Sequence, residues 1–287
     1  MSRMQVARLA NGRLHLHDGP IDLIIACDGR CDDILCSEEV AIARFATVLD
    51  ELCTELALLR QPVGEPPQGA VAKRMWRATS HFAADHFFTP MAAVAGSVAE
   101  EILEAMLMAA PLDRALVNNG GDIAFHLAPG HHYRAGLMDR PDQPTLFATA
   151  TIAASDLVRG IATSGWRGRS FSLGIADAVT VLAPSASLAD AAATLIANAV
   201  DLPGHPAIER TRAEDLQPDS DLGTRLVTTN VGPLSKPDIA AALASGSAHA
   251  RAFLDRGLIT ACALHLAGET RTLTTKAIEP AGQLAHA

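Results

Sequence analysis

One helical segment of the sequence carries a row of short, oxygen-bearing side chains. Residues 187–200 read SLADAAATLIANAV, which spaces Asp190, Thr194 and Asn198 four residues apart and so places them on one face of an α-helix. This row has two interpretations. It is the solvated side of an amphipathic helix, or it is a site for a hard cation of the Mg²⁺ type, because such ions prefer carboxylate and hydroxyl oxygens.

A second candidate lies upstream, in a segment rich in glycine and arginine. Residues 163–165, Thr-Ser-Gly, end a predicted strand, and residues 165–169 contain two glycines and two arginines. Backbone amides and guanidinium groups in such a loop can hold a phosphate group. The same composition is also found in ordinary exposed connections, and both interpretations stay open.

A third candidate is the glycine pair in residues 117–123, VNNGGDI. Two glycines accept positive φ and join two strands in a tight hairpin, which needs no further purpose. They would also leave backbone N–H groups open to a ligand, with Asn and Asp beside them. The turn alone does not decide between these interpretations.

The composition limits the classes of function. The chain has 287 residues, 49% of them hydrophobic, with 23 basic and 32 acidic residues and a formal charge of −9. This charge argues against general affinity for nucleic acid or for an anionic membrane surface. No apolar run is long enough to span a bilayer, and residues 1–10 contain no signal-peptide core. We therefore expect a cytoplasmic protein that binds neither nucleic acid nor membrane.

The five cysteines form an odd set without a disulfide framework, which is typical of a reducing compartment. Cys27, Cys31 and Cys36 are close in sequence, so a thiolate metal site is one interpretation. Their spacing matches no common zinc or iron–sulfur pattern, and ordinary thiols are the other interpretation.

The remaining pattern predicts a single α+β domain over residues 1–287, because strands and helices are grouped and do not alternate strictly. Its parts are an N-terminal meander and helix (1–60), a core that carries the candidate motifs (89–200), and a C-terminal strand, helix and hairpin (223–276). Thr89 and Pro90 are expected to begin a helix of very small residues that allows another backbone to approach closely. Predicted strands are 4–9, 13–17, 21–26, 116–117, 123–127, 133–138, 146–154, 175–182, 224–231, 259–266 and 271–275; predicted helices are 37–60, 187–200 and 237–256; residues 201–222 are predicted as a surface excursion.

Several of these segments occur together, in this order, in a known family. Residues 118–122 (Asn-x-Gly-Gly-Asp), 162–165 (Ala-Thr-Ser-Gly) and 179–194 (Val-Thr-Val leading into Ala-Asp-Ala-x-Ala-Thr) resemble the motifs of ApbE-type FAD:protein FMN transferases. The segments HDGPIDLII, TPMAAVAGSVAE, LGIADAVTVLAPSASLADAAAT and NVGPL are similar to an uncharacterised cytoplasmic branch of that superfamily. The resemblance implies an ApbE-like, tunnelling-type α+β fold, with antiparallel sheets and helices packed on one side.

The resemblance also implies a ligand, a metal and partners. Mg²⁺ would be bound by the side chains of Asp190 and Thr194 and by a backbone carbonyl of the small-residue helix, at Ala95. The ligand would be a flavin nucleotide such as FAD, the partner an acceptor protein for FMN, and fold analogy suggests a homodimer. The residues expected to border the nucleotide are Asn118, Gly120, Gly121, Asp122, Thr163, Ser164 and Gly165.

Two departures from the transferase pattern bear on catalysis. The stretch His-x-x-Asp-Pro-x-Thr-Gly is missing, and within residues 170–178 only Asp177 remains as a candidate catalytic group. The lysine of the small-residue helix is also missing, with Gly96 or Ser97 in its place. His81 and His86 are candidates for a replacement base.

The sequence thus predicts a protein that binds a flavin nucleotide or a related pyrophosphate ligand with Mg²⁺ and that acts as a divergent FMN transferase. Two alternatives remain. One is an accessory protein of sulfide assimilation into homocysteine, which would give the clustered cysteines a role, and the other is a non-catalytic scaffold.

Overall fold

Residues 3–83, 87–138, 145–274 and 278–280 are described by a computed structural model. The elements in chain order are β1 (Gln5–Arg8), β2 (Leu14–Asp18), β3 (Ile21–Asp28), α1 (Cys31–Thr54), α2 (Leu56–Leu59), α3 (Ala70–Ser80), a 3-10 turn (Pro90–Ala93), α4 (Val94–Ala109), β4 (Arg114–Asn119), β5 (Asp122–Leu127), β6 (His132–Met138), β7 (Leu146–Ala153), β8 (Gly160–Ser164), β9 (Ala178–Ala183), α5 (Ala186–Ala199), β10 (Ile208–Arg212), α6 (Ala213–Leu216), β11 (Leu226–Val231), α7 (Lys236–Asp255), β12 (Ala261–Leu266), β13 (Glu269–Thr274) and β14 (Ile278–Pro280).

The chain divides into two units whose segments interleave along the sequence. Unit 1 comprises Met1–Tyr133, Ala153–Ala162 and Pro184–Ala191. Unit 2 comprises Arg134–Ile152, Thr163–Ala183 and Ala192–Ala287. The boundary therefore falls within β8 and within α5, and the single domain expected over residues 1–287 stays a prediction.

Unit 1 is built on antiparallel strands in the order β1-β2-β3-β4-β5-β8. Side chains alternate between the faces of this sheet, as Leu14 and Leu16 are buried while His15 and His17 lie on the other, more exposed face. Helices α1 and α4 cover the buried face. The spacing of the apolar residues on α1 (Ala41, Phe45, Val48 and Leu52) gives the helix one continuous buried stripe.

The first turn of α5 packs against two glycines of unit 1 at backbone contact distance. A Cβ atom placed on Gly96 of α4 would lie 2.3 Å from the carbonyl oxygen of Ala186, and one placed on Gly160 of β8 would lie 2.2 Å from the nitrogen of Ala186. Side chains also cap this turn: Ala186 N donates to Glu100 Oε1 (3.0 Å), and Leu188 N donates to Ser185 Oγ (3.2 Å). The small residues that begin α4 thus allow the close backbone approach expected from the sequence.

Unit 2 has its own strands and its own helix packing. Strands β9, β12 and β13 follow the end of β8 in the sheet, while β6, β7 and β14 form a second sheet and β10 pairs with β11. All six residues of β9 and all six of β12 are buried, and α7 packs on β12 and β13. Strands buried on both faces are continuous apolar runs in the sequence, which is what residues 178–183 show.

The predicted α+β class with antiparallel sheets is confirmed, and four element predictions need correction. Helix α1 begins at Cys31 rather than at residue 37, because Asp32 and Asp33 already occupy its acidic first turn. Strand β9 begins at Ala178 rather than at residue 175. The segment 201–222, predicted as a surface excursion, contains strand β10, which is stabilised by backbone pairing with β11 although its sequence is polar. Helix α3 was not predicted. The end of the predicted strand 271–275 lies outside the described residues.

The described helices include no candidate for a membrane span. None of them combines the length and the apolar character that crossing a bilayer requires.

The contact between Gly160 and Ala186 predicts a large loss of stability in Gly160→Ala. The added methyl group would overlap backbone atoms that cannot rotate away, so we expect the free energy of unfolding to fall by about 3 kcal/mol. Urea denaturation would measure it. Gly64→Ala is the matched control, since its new Cβ would have no neighbour closer than 3.7 Å, and it should leave stability unchanged or raise it by about 0.5 kcal/mol. Equal stability of the two variants would contradict the packing described here.

Candidate functional site

Asp190 lies in the second turn of α5 and contacts the start of α4 within unit 1. Its Oδ2 atom accepts a hydrogen bond from Gly96 N (3.0 Å), and the N–H of Ala95 also points to this carboxylate. The side chain is partly buried. Among the described residues, no Lys, Arg or His forms an ion pair with it, so backbone amides supply its polar contacts.

A second carboxylate, Asp122, lies close enough to interact electrostatically with Asp190. Burial and the negative charge of Asp122 raise the pKa of Asp190 well above its usual range, although the hydrogen bonds from Gly96 and Ala95 act in the opposite direction. Two like charges held close together disfavour the ionised state. A bound cation would remove this repulsion.

The glycine hairpin between β4 and β5 brings Asp122 to this position. Gly120 and Gly121 have φ values of 66° and 116°, conformations that suit glycine, and Asn118 Oδ1 closes the turn by accepting from Gly121 N (2.8 Å). The neighbouring Asn119 is buried and donates from Nδ2 to Ala95 O (3.2 Å). The hairpin is therefore a genuine turn whose side chains also contact the start of α4.

We call the group formed by Ala95, Gly96, Asn119, Asp122 and Asp190 the carboxylate corner. Its donors toward a cation are two carboxylates and the carbonyl of Ala95, which already accepts a hydrogen bond from Asn119 Nδ2. Hard oxygen donors of this kind suit Mg²⁺. Within the described part of the chain, no three His, Cys, Asp or Glu side chains are grouped to hold a metal, so backbone oxygens and a ligand would have to complete the coordination.

The structure thus brings together three of the predicted site residues, Ala95, Asp122 and Asp190. Gly121 borders open space, since a Cβ on it would meet no atom within 4 Å, whereas Asn118 serves the turn. Thr194 follows Asp190 by one helical turn but belongs to unit 2. Its role as a metal ligand and the roles of the hairpin residues toward a nucleotide stay predictions.

Asn198, the third member of the polar row on α5, has a local partner in unit 2. Its Oδ1 atom accepts from Leu173 N (2.9 Å) and from Ser172 Oγ (3.3 Å). These bonds hold the segment before β9 against the helix. Asn198 is thereby occupied, and the row does not act as one continuous set of ligands.

The predicted Thr-Ser-Gly segment and Asp177 also lie in unit 2. Thr163 Oγ1 is 2.8 Å from Thr180 Oγ1, and a Cβ on Gly165 would lie 2.4 Å from Asp177 O. Asp177 accepts three hydrogen bonds, from Trp166 Nε1 (3.3 Å), Arg167 Nε (3.0 Å) and Ala267 N (2.7 Å). These contacts make Asp177 a positioning group for its neighbours, and a catalytic role for it stays a prediction.

The clustered cysteines differ in their surroundings. Burial raises the pKa of the Cys27 thiol to about 12, which keeps it protonated and a poor nucleophile at neutral pH. Cys31 and Cys36 are exposed. Of the candidate bases, His81 is exposed at the end of α3, and His86 lies outside the described residues.

Two contacts at or near the carboxylate corner were not predicted from the sequence. Asn119, rather than Asn118, reaches the small-residue helix, and Glu100 on α4 accepts from the first amide of α5. The strand alternation could have identified Asn119, because it shares the buried face with Ala115 and Val117. No local signal links Glu100 to residue 186.

The carboxylate corner predicts that Asp190→Asn stabilises the protein in the presence of EDTA. Asparagine keeps the acceptor for Gly96 N and removes the repulsion with Asp122, so the free energy of unfolding should rise by about 0.5–2 kcal/mol at neutral pH. Folding raises the pKa of the Asp190 carboxyl. The free energy of unfolding of the wild type therefore falls as the pH increases from the unfolded-state pKa of this carboxyl to its higher folded-state pKa. The advantage of the variant should therefore shrink toward acid pH.

Thermal unfolding of both proteins over a pH series would test this pH dependence. The matched control is Asp255→Asn, which changes an exposed residue at the end of α7. A variant that melts like the wild type at every pH would show that Asp190 carries no electrostatic strain.

Comparison with known proteins confirms the resemblance inferred from the motifs. The UPF0280 protein of Methanococcoides burtonii is 40% identical over 129 residues, which cover 42% of this chain and 49% of the relative. That of Methanothrix thermoacetophila is 36% identical over 139 residues, 48% of this chain and 55% of the relative. The chain therefore spans about half the length of the curated relatives it matches.

A solved structure, the apo form of the flavinyl transferase ApbE of Pseudomonas stutzeri, aligns over 95% of this chain and 94% of its own with a TM-score of 0.48 and 13% identity. A family model described as AbpE bacteria matches residues 6–272. This match covers most of the chain, which therefore belongs to the AbpE bacteria family.

Proposed function

We propose that the protein binds a flavin nucleotide, or a related pyrophosphate ligand, through Mg²⁺ at the carboxylate corner. One observation carries the proposal: Asp190 and Asp122 lie together in unit 1, partly buried, and no cationic side chain of the described residues forms an ion pair with Asp190. A divalent cation is the simplest partner for such a pair.

The donor set supports a hard cation that also binds phosphate. Carboxylates and a carbonyl provide only part of an octahedral shell, and Mg²⁺ usually completes its shell with water and phosphate oxygens. When bound, the ion would neutralise pyrophosphate charge and polarise a phosphoryl group. The backbone amides of Gly96 and Ala95 would keep the Asp190 carboxylate oriented, and Asn119 would fix the carbonyl of Ala95.

The flavin part of the proposal rests on family membership and on the motif order in the sequence. The Asn-x-Gly-Gly-Asp motif is the hairpin that brings Asp122 to the corner. Transfer of FMN to an acceptor threonine would further require a base. Since Asp177 is held by three donors in unit 2, we propose binding as the basic activity and transfer as an additional one.

Calorimetric titration with FAD, with Mg²⁺ and then with EDTA, tests the proposal. We expect FAD to bind in the presence of Mg²⁺. The affinity for FAD should fall by about 10- to 100-fold when Mg²⁺ is removed or when Asp190 is replaced by asparagine, because either change removes the link between the protein and the phosphate groups. Asp122→Asn should weaken binding in the same way. Asp255→Asn should bind FAD as the wild type does.

Affinity for FAD that is indifferent to both Mg²⁺ and Asp190→Asn would refute the magnesium part of the proposal. No binding of FAD under any condition would refute the flavin part. Incubation with FAD and a threonine-containing acceptor protein, followed by mass spectrometry, separates a transferase from a binder, since only transfer leaves FMN covalently attached.

A further inference from the structure

A pocket in unit 2 is lined by residues other than those of the carboxylate corner. Its volume is about 520 Å³, large enough for a small organic molecule. Its wall includes Leu146, Phe147, Arg167, Asp177, His265 and Thr270. All of these belong to unit 2, so the pocket can be considered without the carboxylate corner.

Arg167 is the cationic group of this pocket, and its guanidinium is fixed on two sides. Nε donates to Asp177 Oδ1 (3.0 Å), and the guanidinium carbon lies 4.2 Å from the centre of the Trp166 ring. The side chain is about one third exposed, at 34%. Neither Nη atom has a hydrogen-bond partner within the described part of the chain, which leaves the terminal edge of a planar fork available.

The carboxylate that holds Arg167 is itself anchored. Asp177 also accepts from Trp166 Nε1 (3.3 Å) and from Ala267 N (2.7 Å). Ala267 has a φ of 49°, the one positive value at a non-glycine position among the described residues. Ala267 and Gly268 form the two-residue turn between β12 and β13, in which both central residues have positive φ, and this tight turn fixes the position of the Ala267 N–H.

Part of the pocket wall is apolar and aromatic. The Phe147 and His265 rings stack at 4.9 Å with an interplanar angle of 23°, and His265 Nδ1 lies 2.8 Å from Thr270 Oγ1. Leu146 is 39% exposed on the same wall. The pocket therefore combines one oriented cation with apolar surface, the usual composition of a site for an amphiphilic small molecule.

We propose that this pocket binds a small organic oxyanion. Its phosphoryl or carboxylate group contacts the two Nη groups of Arg167, and its apolar body lies against Leu146 and Phe147. A guanidinium fork matches both oxyanions in geometry, and Asp177 acts as the positioning residue that aims the fork. Arg167, from the segment rich in glycine and arginine at residues 165–169, thereby acquires a use that the carboxylate corner does not give it.

Nuclear magnetic resonance with ¹⁵N-labelled protein in EDTA tests the proposal, using phenyl phosphate, benzoate and uncharged benzyl alcohol as probes. The chain has two tryptophans, so the indole N–H signal of Trp166 reports on the pocket while that of Trp76 serves as an internal reference. We expect saturable movement of the Trp166 signal with at least one anion and none with benzyl alcohol. Comparing phenyl phosphate with benzoate identifies which oxyanion is preferred.

Variants of Arg167 decide whether the fork is responsible. Arg167→Ala should weaken anion binding by about 10- to 100-fold, the usual effect of losing charge-assisted hydrogen bonds. Arg167→Lys, which keeps the charge without the fork, should give an intermediate affinity. Arg251→Ala, at an exposed site on α7, is the matched control and should bind as the wild type does.

Lack of a saturable Trp166 response to both anions, or wild-type affinity in Arg167→Ala, overturns the proposal. Asp190→Asn should leave the Trp166 response intact, so that failure of the magnesium site and failure of this pocket are separable results.

Discussion

The close contact of the first turn of α5 with two glycines is the constraint on which the carboxylate corner depends. Any side chain at 96 or 160 would occupy the space of the Ala186 backbone. Because these positions have no Cβ atom, the start of α5 lies directly against α4 and β8. This approach brings the Asp190 carboxylate within hydrogen-bond distance of Gly96 N (3.0 Å), so packing and candidate chemistry share one cause.

The corner places two carboxylates close together. Folding partly buries Asp190 next to Asp122, and among the described residues its hydrogen-bond partners are the backbone amides of Ala95 and Gly96. Natural proteins tolerate such local conflicts mainly where binding resolves them. The rest of unit 1 is conventional by comparison, with a sheet whose buried face is covered by α1 and α4.

Most of the architecture could be predicted from periodicity, because the meander, α1, α5, α7 and the buried strands have clear alternating or helical patterns. The metal-site prediction also had a local basis, since the four-residue spacing of Asp190 and Thr194 is visible in the sequence. The contacts of the corner could not be predicted in this way. Gly96, Asn119 and Glu100 act through residues far along the chain, and β10 owes its structure to pairing with β11 rather than to its own polar sequence.

The close contact at the start of α4 also limits which residues this helix can accept. The transferase pattern that the motifs resemble has a lysine in the small-residue helix, where this chain has Gly96 or Ser97. Gly96 has no room for a side chain, because a Cβ atom there would lie 2.3 Å from the carbonyl oxygen of Ala186, and Ser97 is fully buried. A lysine at position 96 would therefore require the start of α5 to move away from α4, and so would any other residue larger than glycine.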